Sequence, residues 1–199
     1  LVVDNKYIMS PKDLCTVDFL DRFLDAGVRV LKIEGRARSA DYVKRVVECY
    51  DEALRAIEEG TYTPERAEQW QERLRTVFNR GFWGGYYMGA RAGEWSRTYG
   101  SSATVRKVYV GKVTNYFARI GVIELQVEAA PLSVGEPVFL TGETTGVVEF
   151  VVEEIRVALK PVQEAPQGVL CSIKVPTLIR RGDKLFKTVP SDEKADRNR

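Results

Sequence analysis

The spacing of apolar residues changes along the chain. Before about residue 90, apolar side chains recur every three or four residues in long stretches, which is typical of helices that bury one face. From Val105 onward they alternate with polar residues, which is typical of β-strands. The polar, glycine-containing stretch between the two patterns predicts a linker over residues 91–104. We therefore expect an α/β domain over residues 1–90, a β domain over residues 105–188, and a disordered, charged tail over residues 189–199.

The first part of the chain is typical of a fragment of a (β/α) barrel. Residues 1–9 contain two short apolar runs around an Asp-Asn pair, which predicts a hairpin. Ser10, Pro11 and Asp13 form a helix-start signal, and we expect a helix from there to Gly27. The next predicted elements are a strand over residues 28–34, a helix over residues 40–59 capped by Ser39, and a helix from Pro64 to about Phe78. Because a single strand cannot close a barrel, we expect only part of one.

The β part predicts a small barrel. Candidate strands span residues 106–117, 119–128, 136–141, 147–157, 169–175 and 183–188. Proline and glycine clusters separate these strands, which favours antiparallel pairing through turns. A partly closed antiparallel barrel would protect the edges of the sheet, and a small sandwich is the alternative. The predicted fold class of the whole chain is therefore α+β.

Composition excludes several mechanisms. The 199 residues include no histidine, so the chain alone cannot provide Ser-His or Cys-His catalysis or the imidazoles of most zinc hydrolases. Its three cysteines, Cys15, Cys49 and Cys171, lie far apart and form no CxxC pair. The longest apolar runs are strand-sized and no leader precedes Leu1, so we expect a cytoplasmic protein. Because the chain begins with Leu inside an apolar run, we expect it to be a piece of a longer protein.

Charged residues end the predicted strand over residues 28–34. Lys32, Glu34 and Arg36 stand at its carboxyl end, where α/β folds bind ligands, and we take them as catalytic candidates. Glu34 could act as a general base or hold a cation, and the planar guanidinium of Arg36 suits a carboxylate or a phosphate. The alternative is a solvated cluster of salt bridges with no ligand.

Cys15 and an aromatic segment are further candidates. Cys15 falls in the first turn of the predicted first helix, where exposed amides favour a thiolate, and its alternative is a small core residue. We interpret Cys49 as a packing residue. Residues 78–89 interleave aromatic residues with glycines and one arginine, so they either cover a core or stack on nucleic-acid bases.

The β part carries cations that could contact nucleic acid. The candidates are Arg106, Lys107, Lys112, Arg180 and Arg181. The alternative is a solvated charged face, since a net charge of +2 does not by itself indicate a nucleic-acid-binding protein. Binding that weakens steeply with salt would favour contact with RNA.

Three motifs resemble those of a known family. SPKDLC at residues 10–15, LKIEGRARSADYV at residues 31–43 and NRGFWGGYYMG at residues 79–89 are similar to motifs of peptidase family U32, the collagenase-like peptidases of unassigned mechanism. The resemblance covers residues 1–90. The β part resembles the family's C-terminal barrel, which is itself similar to the second domain of translation elongation factors. We therefore identify the chain as the C-terminal portion of a family member.

The resemblance implies a choice of activities and a cofactor. Members are named peptidases, yet several bacterial relatives hydroxylate a transfer-RNA uridine, ribosomal RNA or ubiquinone precursors, and a prephenate-dependent mechanism is implied for them. In these relatives four cysteines hold an iron–sulfur cluster, and the fourth matches Cys15. The other three would precede Leu1, so we expect no cofactor in this chain alone.

The resemblance also implies a ligand pocket. Lys32, Glu34 and Arg36 would line this pocket, where Arg36 would suit a dicarboxylate. The motif residues that we assign to substrate binding are Ser10, Lys12, Asp13, Arg38 and Arg80.

The expected function is hydroxylation of transfer-RNA uridine by the intact protein, with the β part contacting RNA. One alternative is a protease or collagenase of unassigned mechanism, and another is a non-catalytic fragment that binds RNA or protein. Expected partners are transfer RNA, the missing N-terminal part of the same protein and a second copy of the chain, but not a membrane. We expect this fragment to be inactive by itself.

Overall fold

The computed structural model describes residues 11–90, 92–96 and 100–191. The chain forms two compact units, Leu1–Thr104 and Val105–Arg199. The predicted hairpin over residues 1–9, the helix cap Ser10 and the tail from residue 192 onward lie outside the described residues. Each unit has its own apolar core.

The described residues of the first unit contain three helices and two very short strands. In chain order these are β1 (Asp13–Leu14), α1 (Leu20–Asp25), α2 (Ala40–Glu58), α3 (Pro64–Arg75) and β2 (Phe82–Trp83). The helices predicted over residues 40–59 and from Pro64 are confirmed, and the second ends three residues earlier than predicted. Thr63 caps α3 by accepting a hydrogen bond from the Arg66 amide at 3.3 Å. Ser39 occupies the N-cap position of α2 without a side-chain cap hydrogen bond.

The core of the first unit forms where α2 and α3 pack together. Cys49, Ala53, Trp70 and Leu74 are buried there, and Leu20 brings α1 to the same cluster. The interpretation of Cys49 as a packing residue is confirmed, because its side chain is fully buried. This core supports the segment around β1, from which the candidate site is built.

The helix predicted from Ser10 to Gly27 is wrong over its first half. Residues 13–14 form β1, and the helix α1 begins only at Leu20. The amides of Asp13 and Cys15 donate to the carbonyl oxygens of Gly81 and Trp83, at 2.9 and 3.0 Å, instead of closing helical turns. A helix-start signal depends only on neighbouring residues. The pairing of β1 with β2 joins segments almost seventy residues apart, so that signal could not reveal it.

The strand predicted over residues 28–34 is also wrong, because no regular strand forms there. Its apolar residues lie at the surface: Val30 is 83% exposed, and Leu31 and Ile33 are each 37% exposed. Alternating apolar residues form a strand only when a neighbouring strand satisfies their backbone groups. No strand within the described ranges pairs with this segment.

The second unit is a large antiparallel sheet, which confirms the mixed fold class. Its strands are β3 (Val105–Phe117), β4 (Val122–Val127), β5 (Leu132–Ser133), β6 (Pro137–Gly142), β7 (Gly146–Val151), β8 (Ile155–Val157), β9 (Lys160–Val162), β10 (Glu164–Ala165), β11 (Leu170–Lys174) and β12 (Lys184–Pro190). Eight of them pair in the order β7-β6-β12-β3-β4-β11-β8-β9, and β5 pairs with β10. The terminal strands β7 and β9 do not pair with each other within the described residues, so hydrogen bonds do not close this sheet into a barrel.

The two faces of this sheet differ in polarity. Ile123, Leu125, Leu140 and Leu185 point into the core on one face. Alternate residues on the same strands, such as Lys184, lie on the opposite face. The strand predicted over residues 147–157 is interrupted, since β7 ends at Val151 and β8 begins at Ile155. The short strands β5, β9 and β10 were not predicted.

Candidate functional site

Asp13 joins two of the sequence motifs. It lies on β1, which pairs in parallel with β2 in the register Asp13 to Phe82. One carboxylate oxygen accepts a hydrogen bond from Arg38 Nη2 at 3.0 Å, and the other accepts from the Arg80 backbone amide at 3.0 Å. Segments separated by 25 and 67 residues are therefore held at one carboxylate.

Arg38 is held by aromatic rings as well as by Asp13. Its guanidinium carbon lies 4.5 Å from the centre of the Phe78 ring and 5.0 Å from that of Tyr42. The ion pair is largely shielded, with 17% of the Arg38 side chain and 20% of the Asp13 side chain exposed. A guanidinium with a carboxylate and two ring faces as partners is already engaged within the fold. The geometry thus shows Asp13 and Arg38 binding each other, and their assignment to substrate binding stays a prediction.

The catalytic candidates lie on an exposed loop. Lys32, Glu34 and Arg36 are all exposed, and Glu34 accepts a hydrogen bond from the Arg36 amide at 2.7 Å. This contact shapes the turn, in which Ala37 has a positive φ of 58°. The structure therefore places the three residues together in one loop, and their catalytic roles stay predictions. Among the other substrate-binding candidates, Lys12 forms an ion pair with Glu94, and the Arg80 side chain is exposed.

A cleft of about 300 Å³ opens beside Cys15 in the first unit. Its walls come from the segment after β1, the C-terminal half of α3, and β2 with the residues on either side of it, together with Ser102. The lining residues are Cys15, Asp18, Gln71, Arg75, Asn79, Gly81, Phe82, Trp83, Gly84 and Ser102. Hydrogen-bonding groups and aromatic rings thus face the same space, which is typical of small-ligand sites.

Asn79 organises the wall of this cleft, and sequence reasoning missed its role. It is 2% exposed, and its side-chain amide donates to the Val77 and Arg75 carbonyl oxygens while its Oδ1 accepts from the Gly81 amide at 3.0 Å. The Ser102 amide donates to the Asn79 carbonyl oxygen at 2.7 Å. Its place in the NRGFW motif was the available signal, since Asn frequently bonds neighbouring backbone groups in turns.

The aromatic segment over residues 78–89 divides between packing and exposure. Phe82 and Trp83 are half-buried, whereas Tyr86 and Tyr87 are each 62% exposed. Tyr87 packs edge-on against Phe23 with ring centres 4.8 Å apart. Part of this segment therefore packs on the unit, as the first interpretation predicts, and stacking on nucleic-acid bases stays a prediction.

Cys15 is a buried thiol rather than an exposed helix-start residue. It is 4% exposed, and burial raises the pKa of its thiol above the ordinary value despite a hydrogen bond to Tyr50. The Tyr50 hydroxyl also accepts from the Thr16 amide at 3.0 Å. The prediction that its position at a helix start favours a thiolate is wrong, because α1 begins five residues later and desolvation disfavours the charged form.

The described residues do not fit an iron–sulfur cluster by themselves. Cys15 is the one cysteine at the cleft, and Cys49 is buried between α2 and α3. Within residues 11–90, 92–96 and 100–191, no group of three or more His, Cys, Asp or Glu residues is placed to hold a metal ion. This chain could therefore contribute at most the Cys15 thiol to a cluster, and no chemical step is assigned to such a group.

The nucleic-acid candidates of the second unit are all exposed. Arg106, Lys107 and Lys112 lie on β3, whereas Arg180 and Arg181 lie in the loop before β12. The Arg180 amide donates to the buried Asp183 carboxylate at 2.9 Å, which also accepts from Thr145 at 2.6 Å. This loop is fixed by Asp183, and sequence reasoning had not assigned that residue a role.

The cleft of the first unit presents polar groups, aromatic rings and a buried thiol. It combines the Arg75 guanidinium, the Gln71 amide and two aromatic rings, while the nearby thiol of Cys15 is kept protonated by burial. The fold and the cleft together define the class of the protein. It has a mixed α/β unit, a separate antiparallel β unit, and a small cleft in the first unit that is lined by polar and aromatic side chains. Residues 3–97 match the family model described as peptidase family U32. This matched part of the chain belongs to peptidase family U32.

Known proteins that this chain resembles carry two kinds of name. It is 52% identical to a collagenase of Porphyromonas gingivalis over 94% of this chain and 45% of that protein. It is 30% identical to tRNA hydroxylation protein P1 of Bacillus subtilis over 62% of this chain and 29% of that protein. A solved C-terminal domain of a Geobacillus thermoleovorans protein assigned to the U32 peptidases aligns with 40% of this chain and 90% of that domain, at 18% identity and a TM-score of 0.38.

The chain spans about half the length of the collagenase that it matches. Within the described residues, none of the helices has the length and apolar character needed to cross a membrane.

Proposed function

We propose that the intact protein hydroxylates a base of transfer RNA and that this chain binds and orients the RNA. The observation that supports this proposal is the cleft beside Cys15, where two aromatic side chains and several hydrogen-bonding groups face a space of about 300 Å³. Enzymes that modify a base inside RNA hold it by stacking and by hydrogen bonds to its edge. The similarity to a tRNA hydroxylation protein supports the same class of substrate.

The cleft residues divide into two proposed roles. Phe82 and Trp83 provide the aromatic surface against which a base can stack. Arg75 and Gln71, which lie one turn apart on α3 with Nη2 and Oε1 3.5 Å apart, provide hydrogen bonds to the edge of the base or to a phosphate. Asn79 is a positioning residue, because its amide is already bonded to the backbone around it.

The exposed loop of Lys32, Glu34 and Arg36 is proposed to bind a charged co-substrate. Its two cations can pair with carboxylates, as expected for the dicarboxylate that the family resemblance implies. An iron–sulfur cluster in the intact protein remains a proposal in which this chain supplies Cys15 as one ligand. No residue of this chain is assigned a step in the oxidation itself.

The proposal is tested by complementation with cleft variants. A strain that lacks the gene is complemented with the full-length protein or with its Arg75→Ala or Phe82→Ala variant, and the transfer-RNA nucleosides are quantified by mass spectrometry. We expect both variants to lower the hydroxylated uridine several-fold. The control is Arg55→Ala, which removes an exposed ion pair with Asp51 on α2. Full hydroxylation by both cleft variants would contradict the proposed role of the cleft.

A peptidase is the second candidate, favoured by the 52% identity to a protein named collagenase. Because the chain has no histidine, such an activity would require an activated nucleophile, a carboxylate pair or a metal site completed by other parts of the protein. Digestion of gelatin by the purified full-length protein, together with unchanged transfer RNA in the deletion strain, would favour this candidate over hydroxylation.

A further inference from the structure

Two lysines stand directly opposite each other on the outer face of the second unit. Strands β3 and β12 pair in antiparallel register, and Lys184 is the partner of Lys112. Their other cross-strand neighbours are uncharged, since Lys184 also faces Thr141 on β6 and Lys112 faces Gln126 on β4. Both lysines are exposed.

Neither lysine of this pair has an ion-pair partner among the residues that the structure describes. Like charges directly opposite on a sheet repel each other and reduce its stability. Neither the Lys112 nor the Lys184 side chain forms a hydrogen bond with any residue of the described ranges. Lys187 on the same strand is different, because it pairs with Glu136 at 2.7 Å and bonds the Pro131 carbonyl oxygen. An anion from outside the chain would relieve the repulsion at the two opposed lysines.

Aromatic rings lie in the adjacent row of the same face. Tyr109 and Phe186 are cross-strand partners, and Phe186 faces Phe139 on β6. The ring centres are 5.4 Å apart in both contacts, and the Phe139 and Phe186 rings are nearly parallel. Tyr109 and Phe186 remain half-buried, and the Tyr109 hydroxyl is held by Glu128 at 2.5 Å. The rings of Tyr109 and Phe186 therefore form the cross-strand pair next to the two lysines on the same face of the sheet.

A shallow groove extends this aromatic row. It has a volume of about 310 Å³ and is lined by Pro137, Val138, Phe139, Glu149, Phe150, Val151 and Thr188. Val151 is 55% exposed, so the groove is open to solvent, and its surface is apolar except at Glu149 and Thr188. Cations beside ring surface and an apolar groove are the combination by which proteins hold single-stranded nucleic acid, with phosphates on the cations and bases on the rings.

We propose that Lys112 and Lys184 bind one backbone phosphate of RNA, and that the adjacent bases lie against Tyr109, Phe186 and the groove. This site rests on the proposed function, which makes RNA the substrate, and it adds a second contact on the other unit of the chain. An acidic protein would satisfy the lysines but would leave the aromatic row and the apolar groove unused. RNA therefore fits this surface better than a carboxylate-rich partner does.

The test measures binding of the full-length protein to transfer RNA as a function of salt. The test variant is Lys112→Gln/Lys184→Gln. The control variant is Arg119→Gln/Lys160→Gln, which removes the same net charge at exposed positions elsewhere on the unit. Fluorescence anisotropy of labelled transfer RNA gives the affinity, and a poly-aspartate peptide serves as the acidic-protein probe. Thermal unfolding of each variant shows that the fold is retained.

The site predicts a specific loss in the test variant. We expect several-fold weaker binding of transfer RNA, with a slope of log affinity against log salt that is shallower by about 1 to 2. The control variant should change both quantities much less. Equal transfer-RNA binding by the two double variants would overturn the site, and so would loss of poly-aspartate binding with transfer-RNA binding retained. If the wild-type protein binds no transfer RNA, the proposed function itself fails, which separates that failure from failure of this site.

Discussion

The Asp13 carboxylate accepts a hydrogen bond from Arg38 at 3.0 Å, and this contact brings two sequence motifs together in the first unit. The same carboxylate holds the Arg80 amide, which places β2 and the NRGFW motif beside β1. The Asp13–Arg38 pair therefore helps to hold these backbone segments in place. Its contribution to stability can be measured separately from any contribution to activity.

Replacing Asp13 by Asn should destabilise the first unit. The substitution removes a charged partner from a guanidinium that is only 17% exposed, and we expect the free energy of unfolding to fall by about 1–3 kcal/mol. Urea unfolding of this variant, of Arg38→Gln and of the double variant gives the coupling between the two residues. We expect a coupling of at least 0.5 kcal/mol.

The exposed pair Arg55 and Asp51 is the matched control for this cycle. Its side chains are 69% and 52% exposed, so removing it should change the free energy of unfolding by less than about 0.5 kcal/mol. A coupling between Asp13 and Arg38 no larger than that of the control pair would refute their structural role.

The Cys15 thiol should react slowly at neutral pH. Burial raises the pKa of this thiol, so the thiolate fraction at pH 7 is smaller than in a free cysteine. Alkylation of the 199-residue chain by iodoacetamide, followed by mass spectrometry of the Cys15 peptide, should be slower than alkylation of glutathione at pH 7 and should accelerate above about pH 9.

The Tyr50→Phe variant tests how the hydrogen bond with Tyr50 affects the pKa of Cys15. The hydrogen bond with Tyr50 lowers the pKa of Cys15, so its removal should slow alkylation further if the fold is retained. Alkylation of the wild-type Cys15 faster than that of glutathione at pH 7 would contradict the account of a protonated, buried thiol.

Lys184→Gln should stabilise the second unit at low salt. The substitution removes repulsion from the opposed Lys112, and we expect the free energy of unfolding to rise by about 0.2–1 kcal/mol. Added salt screens this repulsion, so the gain should shrink towards zero near 1 M salt. Lys160→Gln, at an exposed position on β9, should show no comparable gain. Destabilisation by Lys184→Gln at low salt would show that the lysine has a structural role instead.

Stability should fall at alkaline pH. Burial raises the pKa of both Cys49 and Cys171 to about 11, so each thiol holds its proton more tightly in the folded chain than in the unfolded chain. The resulting stabilisation is complete below the ordinary thiol pKa and is lost as pH rises through about 11. Urea unfolding between pH 7.5 and 10.5 should show this decline. Cys171→Ala should make the decline shallower for the second unit, and an unchanged pH dependence in that variant would contradict the assignment to this thiol.

Local sequence patterns predicted the elements whose stability depends on one buried face. The helical spacing of apolar residues such as Val46, Tyr50 and Leu54 predicted α2, and alternation predicted the central strands of the second unit. The same patterns failed where distant partners decide the conformation. The residues next to Asp13 in the sequence indicate a helix start there. In the structure its carboxylate instead accepts hydrogen bonds from Arg38 and from the Arg80 amide, which lie far away in the sequence.

Of the site candidates named from the sequence, Cys15 alone lines the cleft in the part of the chain that the structure describes. Asn79, Phe82 and Trp83 also line it, but their motif was singled out for its family resemblance and its aromatic residues and not as a partner of Cys15. Arg75 and Gln71 were missed because their helix carries many exposed polar residues, and no local signal separates those that face a cleft. The opposed lysines of β3 and β12 were missed as a pair because register depends on a bulge between Leu185 and Phe186 that no single strand reveals.

The mass of the uridine nucleosides in transfer RNA tests the central claim most directly. Transfer RNA from the wild-type strain and from a strain lacking the gene is digested to nucleosides and analysed by liquid chromatography and mass spectrometry. We predict that a uridine derivative heavier by one oxygen atom is lost on deletion and restored by the full-length gene. An unchanged amount of this nucleoside in the deletion strain would contradict the claim that the protein hydroxylates RNA.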